Sequence, residues 1–163
     1  MEGLLLEHAG LKQVAEPADL NAAAVTGARI KLSEGYKCAV ALSFGDSTGA
    51  VVDVSFQQHD AASAGNSKAV NIQTNYYHKA GAATSFTKVE VRPDDSGLSA
   101  SVSLASVFAA EPGIVVFEFL PEFLDAEGGY GWLSVNVADS TAQKVMSGLY
   151  IVRDVKQGPA SRS

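Results

Sequence analysis

The sequence predicts an all-β fold, a β-sandwich or jelly-roll-like domain of antiparallel strands with an extended N-terminal arm. About nine segments of roughly four to nine residues are apolar or alternate between apolar and polar residues, as strands do. Clusters of Gly, Asn, Asp, Pro and Ser separate these segments, and such clusters mark turns. No helical spacer of crossover length lies between them, which disfavours an α/β fold. The predicted strands are 29–32, 36–44, 51–57, 68–73, 85–92, 98–104, 114–120, 132–138 and 147–155.

Three of these strands carry the clearest patterns. In 36–44, the residues Cys38, Val40, Leu42 and Phe44 fall on one face and predict a buried side. In 51–57, the inward residues are Val52, Val54 and Phe56. The segment 114–120 is nearly continuously apolar, so it is either a central strand or one that is covered on both faces. Short helical turns are predicted only at 60–64 and 122–125.

The length and composition define the class of protein. The 163 residues make one domain, and 47% hydrophobic against 18% charged residues excludes an intrinsically disordered chain. The net charge is −6, from 12 Lys and Arg against 18 Asp and Glu. Nucleic acid is therefore not an expected partner, because its binding draws on clustered basic residues. No apolar run approaches the ~18 residues of a membrane span, so no membrane partner is expected.

The chain divides into an N-terminal arm at 1–27, a β domain at 28–157 and a flexible tail at 158–163. The arm shows no sustained period of 2 or 3.6 residues and is interrupted by glycine and proline. It nevertheless carries apolar side chains that need a surface to pack on. We therefore predict that the arm contacts a partner through Leu4, Leu5, Leu6, Leu11 and Val14.

The sequence predicts no catalytic residue, no cofactor and no metal site. Ser47 follows a hydrophobic strand within Gly45-Asp46-Ser47, as the nucleophile of some esterases does, but no D-x-x-H motif supplies a base. We interpret this segment as a polar turn. His59 and His78 are expected at strand ends, and the single Cys38 as a small buried hydrophobe that excludes an internal disulfide.

One alternative is a carbohydrate-binding β-sandwich used for host adsorption. Aromatic side chains could form a platform for sugars, and Trp132 and Tyr130 are the leading candidates. Aromatic residues in this number are also ordinary core and rim material of a β-sandwich.

Several blocks of the sequence resemble small virion structural proteins of tailed bacteriophages. The blocks are AVTGARIKL at 24–32, the strand 36–44 closed by Gly-Asp, AASAGNSKA at 61–69 preceded by Gln57, FLDAEGGYGW at 123–132, and SGLYIVR at 147–153. The resemblance covers most of residues 24–155.

The resemblance implies a capsid decoration (cement) protein without enzymatic activity. Such a protein is made in the host cytoplasm, acts on the capsid surface of the virion, and binds the major capsid protein. It also implies a homo-oligomer, either a dimer or a trimer. Another minor head or tail protein is the alternative within the same resemblance.

Overall fold

The computed structural model describes residues 9–32, 36–47, 52–91, 99–108, 110–140 and 142–154. Leu4, Leu5 and Leu6 and the predicted tail at 158–163 lie outside the described residues. The strands are β1 Ala9–Asp19, β2 Val25–Thr26, β3 Ile30–Lys31, β4 Tyr36–Phe44, β5 Asp53–His59, β6 Ser67–Ala69, β7 Tyr76–Ala80, β8 Thr87–Val89, β9 Ser101–Ser103, β10 Gly113–Phe119, β11 Trp132–Val137 and β12 Val145–Asp154. One short helix, α1, spans Ala105–Phe108, and a 3-10 turn spans Pro121–Phe123.

The strands form two sheets in which the paired strands are antiparallel. Sheet A has the order β1-β12-β4-β10-β7-β8. Sheet B has the order β2-β11-β5-β6, and β3 and β9 add to its strands β11 and β5. The all-β antiparallel fold predicted from the sequence is confirmed.

The hydrophobic core lies between the two sheets. In β4 the predicted inward residues Cys38, Val40, Leu42 and Phe44 are all buried. Phe56 of sheet B meets Phe117 of sheet A with ring centroids 4.9 Å apart, and this edge contact joins the two inner faces. Period-two alternation therefore predicted the buried side of the sheets correctly.

Strand β10 resolves the ambiguity of the apolar segment 114–120. It lies inside sheet A, between β4 and β7. Val115, Phe117 and Phe119 are buried, whereas Ile114 and Glu118 are exposed. The strand is therefore central and is buried on one face, with an apolar side chain left on the other.

The predicted boundary between an arm at 1–27 and a β domain requires correction over residues 9–27. Strand β1 pairs with β12 from Ala9↔Arg153 to Asp19↔Val145. The next residues also belong to the sandwich, because β2 pairs with β11. Register shifts between Gln13 and Ala18 interrupt the alternation of β1, so the segment shows no sustained period in the sequence.

Two local predictions have different outcomes. The helical turn at 122–125 is confirmed as the 3-10 turn Pro121–Phe123. The helical turn at 60–64 is wrong, because residues 60–66 form a loop around the carboxylate of Asp60. This carboxylate accepts the backbone N–H of Asn66 at 2.8 Å and its side-chain amide at 2.9 Å. Asp side chains commonly organise turns in this way and compete with helix formation.

Candidate interaction surface

One face of the sandwich carries a group of apolar side chains that point away from the core. We call it the outer face of sheet A. It is defined by the side chains that point away from the core on five strands: Leu11, Leu149, Ile151, Ala39, Ala41, Ile114, Val116 and Tyr77.

The strand register places these side chains in continuous rows. Leu149 of β12 is paired with Ala41 of β4, Ala41 with Val116 of β10, and Val116 with Tyr77 of β7. In the next row on this face, Leu11 of β1 is paired with Ile151 of β12. Cross-strand partners on one face stand about 4.5–5.5 Å apart at Cβ, so the row from Leu149 to Tyr77 is a continuous apolar strip. Ile114 stands beside it, with Ser43 and Lys79 as its own register partners.

The exposed large apolar side chains of the described residues lie on sheet A or next to it. Leu11 is 47% exposed, Leu149 is 44% exposed and Ile114 is 40% exposed. Within the described ranges, every large apolar side chain that is exposed lies on sheet A or on the β7–β8 connection. They are Leu11, Tyr77, Phe86, Ile114, Val145 and Leu149. A contiguous apolar surface of this kind is typical of an interaction site, whereas single scattered apolar residues are not.

The size of this face is that of a small protein interface. Five strands ~4.8 Å apart, and about seven residues that each rise ~3.3 Å, give a face of roughly 440 Å². Contact across it would bury about 900 Å² in total, which is in the range of weak interfaces, so attachment would depend on several copies binding together.

The corresponding face of sheet B is mostly polar. Ser55 and Gln57 of β5 pair with Asn136 and Ser134 of β11, and these four residues lie on the side that faces away from the core. Ser134 is itself buried, and the half-buried Trp132 lies on the same face. The two outer faces of the sandwich therefore differ in chemistry: among the described residues, exposed large apolar side chains lie on the outer face of sheet A and not on that of sheet B.

The structure separates the predicted contact residues of β1 into two groups. Leu11 lies on the outer face of sheet A, as a partner contact requires. Val14 is 2% exposed and belongs to the core, so its assignment to the interface is corrected. Its side chain packs so closely against Gly27 and Gly148 that a Cβ on either glycine would crowd it. The two residues are three positions apart, so alternation along the strand places them on opposite faces of the sheet.

A buried Ser–His pair joins β5 and β11. His59 Nε2 lies 2.8 Å from Ser134 Oγ, and both residues are buried. Burial, reinforced by the charge of Arg29, lowers the pKa of His59. Its Nδ1 has no hydrogen-bond partner among the described residues, and the carboxylate of Asp60 binds Asn66 instead. The pair therefore lacks the orienting acid and the access of a catalytic serine, and its geometry is that of a structural contact.

The contacts of the other candidate residues are those of structural residues. The Asp46 carboxylate accepts the backbone N–H of Ser47 at 2.9 Å, and the rest of the predicted polar turn lies outside the described residues. Cys38 is fully buried, and burial raises the pKa of its thiol to about 12, so it is an inert small hydrophobe as predicted. His78 lies on β7 and makes an edge contact with the ring of Phe108 at 6.2 Å.

The aromatic platform considered for sugars is partly covered. Tyr130 and Trp132 are both half-buried. The ammonium group of Lys68 lies 4.7 Å from the centroid of Tyr130 and also pairs with Asp125. A sugar would need the ring face that this cation occupies, so the geometry does not favour Tyr130 as a stacking surface.

Two further kinds of site are absent from the described part of the chain. No three side chains of His, Cys, Asp or Glu come together there in a group that could hold a metal ion. No helix among these residues has the length and apolar character needed to cross a membrane.

The fold and this surface define an all-β sandwich with one apolar outer face. No family model matches the chain, and no curated protein matches it. Among solved structures it is similar to the crystal structure of SPBc2 prophage-derived protein YomS, with 16% identity and a TM-score of 0.45. The match covers 88% of this chain and 92% of that chain. At this identity and TM-score no function is transferred, and the proposal below is argued from the chain's own residues.

Proposed function

We propose that this chain is a non-enzymatic structural protein of a phage virion, a decoration protein that binds the major capsid protein through the outer face of sheet A. The observation that carries the proposal is the group of exposed apolar side chains on one sheet face, where Leu11 lies beside Ile151. The assignment to a phage is supported by the blocks of sequence that resemble virion structural proteins.

A sheet face is well suited to adhesion on a shell. The strands that carry Leu149, Ala41 and Val116 lie inside sheet A, each paired on both sides, so the surface is preorganised before contact. Preorganisation lowers the entropic cost of binding. A protein that binds assembled subunits better than free ones stabilises the assembly by mass action, and this role needs no active site.

The remaining features of the proposal follow from this role. The chain is made in the host cytoplasm and acts on the capsid surface. If it forms a dimer or trimer through another of its surfaces, each added copy multiplies weak contacts with neighbouring capsid subunits. Its net charge of −6 opposes adhesion to nucleic acid, which is itself polyanionic.

The experiment uses purified heads and purified tails of the phage or induced prophage that carries the gene. We expect the full-length chain to co-sediment with heads, to reach a saturating number of copies, and to raise the melting temperature of the heads. Co-sedimentation with tails alone would assign the chain to a tail role. Absence of binding to both particles, with no shift in head stability at saturating protein, would refute the proposal.

A further inference from the structure

The side chain of Arg29 crosses the outer side of sheet B. The register of β3 with β11 places Arg29 beside Ser134, on the side that faces away from the core. Its guanidinium donates to the backbone carbonyl of Ala61 at 2.9 Å and to that of Ala64. These carbonyls belong to the loop at 60–66, which follows β5 on the far side of β11. The side chain therefore spans β11, and we call it together with this loop the Arg29 latch.

The buried Ser–His pair lies beside the Arg29 latch. Ser134 is 1% exposed and His59 is 4% exposed, although both lie on the side of sheet B that faces away from the core. An outward position on a two-layer sandwich is ordinarily open to water, so something must cover this pair. The side chain of Arg29 and the loop that it holds cross this position, next to the half-buried ring of Trp132.

A protonated His59 has no favourable environment in this closed arrangement. In the imidazolium form both ring nitrogens donate hydrogen bonds. Ser134 Oγ, 2.8 Å from Nε2, can accept one of them, but Nδ1 is buried without a partner among the described residues. A buried N–H without an acceptor is costly, and a buried cation is more costly still. Protonation therefore favours a state in which water reaches Nδ1.

The charges around His59 act in the same direction. Arg29 opposes a positive charge on the imidazole, whereas Asp60, the next residue in the chain, favours one. Lys31 of β3 lies two strands away in the same row, Lys68 of β6 is engaged in an ion pair of its own, and β11 carries no ionisable side chain. Burial and Arg29 outweigh Asp60, so the pKa of His59 is lowered.

The loop at 60–66 is poorly anchored apart from its contact with Arg29. Ala64 has a φ of 56°, in the left-handed region that a residue with a Cβ rarely adopts, and its carbonyl is one of the two that Arg29 holds. Residues 62–66 are exposed and small, so they bury little apolar surface. Segments of this kind open at low cost in free energy. Loss of the guanidinium contacts would let the backbone at Ala64 relax.

We propose that the Arg29 latch is released by acid: protonation of His59 displaces the guanidinium from the carbonyls of Ala61 and Ala64, and the loop at 60–66 opens over β11. The release lies on sheet B, so it changes that side of the sandwich and leaves the outer face of sheet A as it is. It is a regulatory feature beyond the proposed function, and its test does not depend on binding to heads.

Limited proteolysis of the full-length protein by proteinase K at pH ~7.5 and pH ~5.0 measures the opening, with cleavage sites mapped by mass spectrometry. Each rate is divided by that of an unstructured peptide at the same pH, which cancels the pH dependence of the protease. We expect cleavage within 60–66 to increase by about threefold or more at the lower pH, because the open state takes up the proton at the ordinary pKa of 6.5 and the closed state only at a lower one.

Three variants assign this increase to the proposed groups. His59→Gln should reduce it to less than about 1.5-fold, because the titrating group is gone. His78→Gln is the matched control, since it removes an imidazole on β7 in sheet A, and it should keep the increase. Arg29→Gln removes the guanidinium and should raise cleavage within 60–66 already at pH ~7.5.

The fluorescence of Trp132 tests the wild type without any substitution. Trp132 is the single tryptophan and the register partner of His59, so its emission should change with the same midpoint as the cleavage. Cleavage and emission that do not change with pH would overturn the inference. An increase that persists in His59→Gln would also overturn it, because another group would then be titrating. Equal cleavage in loops throughout the chain would overturn it as well, because the whole fold would then be opening.

Discussion

Strand β1 offers a matched pair of truncations, because two of its apolar residues have opposite surroundings. Val14 is buried in the core, and Leu11 is 47% exposed on the outer face of sheet A. We expect Val14→Ala to reduce the stability of the free protein and Leu11→Ala to reduce its binding to heads. The two residues are three positions apart, so a general effect of altering β1 would appear in both variants.

The magnitudes follow from the burial of each side chain. Val14→Ala removes two buried carbon groups worth ~0.8 kcal/mol each, and the cavity left against Gly27 and Gly148 raises the cost to about 2–3 kcal/mol. For a chain of this size that loss lowers the melting temperature by about 4–10 °C. Leu11→Ala should cost less than about 1 kcal/mol in the free protein, because half of the side chain is already in water.

For binding to heads, the expected effects are reversed: Leu11→Ala has the larger effect and Val14→Ala the smaller. Leu11 would be covered by the partner, and truncation of a buried interface residue costs about 1 kcal/mol or more, which is a loss of roughly fivefold or more in affinity. Thermal unfolding and co-sedimentation with purified heads measure the two effects. A large loss of stability for Leu11→Ala together with unchanged stability for Val14→Ala would refute the assigned orientations. Wild-type binding by Leu11→Ala would remove Leu11 from the interface.

Three further predictions test other parts of the account. Burial raises the pKa of Cys38 to about 12, so a thiol reagent at pH 8 should leave the folded protein unmodified. The same reagent should react fully with Cys38 after unfolding in guanidinium. Reaction in the folded state would contradict the burial of Cys38. Burial lowers the pKa of His59, so the unfolded state takes up a proton first as the pH falls below ~6.5. The free energy of unfolding should then decrease by at most about 1.4 kcal/mol per pH unit until the lowered pKa is reached. Urea titrations between pH 7 and 5.5 should show that the stability of His59→Gln depends less on pH than that of the wild type. The same pH dependence in both proteins would refute the lowered pKa of His59. Deleting residues 1–8 should weaken binding to heads if the three leucines contact the capsid. Deleting residues 1–14 also removes half of β1 and should lower the melting temperature further, because the pairing with β12 is lost; equal stability of both truncations would contradict this pairing.

The strands with a regular period could be predicted because alternation is a local property of the sequence. Residues 36–44 display their buried side directly, and the structure buries Cys38, Val40, Leu42 and Phe44 as predicted. Strand β1 was predicted as a free arm because its bulges interrupt the alternation and its partner β12 lies at the other end of the chain. The position of such a strand is determined by its pairing with a strand that is distant in sequence, and local sequence patterns carry no information about that pairing.

The same reason explains which contacts were missed. His59 and Ser134 are 75 positions apart and become neighbours only because β5 and β11 pair. The outer face of sheet A did leave a signal in the sequence. Residues 149–152 are apolar at successive positions, so both faces of β12 are apolar while the sandwich core covers only one of them. Such a strand in a two-layer fold indicates a surface that a partner covers.

The central claim is that the outer face of sheet A binds the capsid. The most direct measurement is co-sedimentation of purified heads with wild type, Leu149→Asp and Thr26→Asp, after circular dichroism has shown that all three are folded. Thr26 is exposed on β2 of sheet B and controls for the added carboxylate. The account predicts that Leu149→Asp no longer sediments with heads, because a buried unpaired carboxylate is costly, while Thr26→Asp binds as the wild type does. Undiminished binding by Leu149→Asp would contradict it.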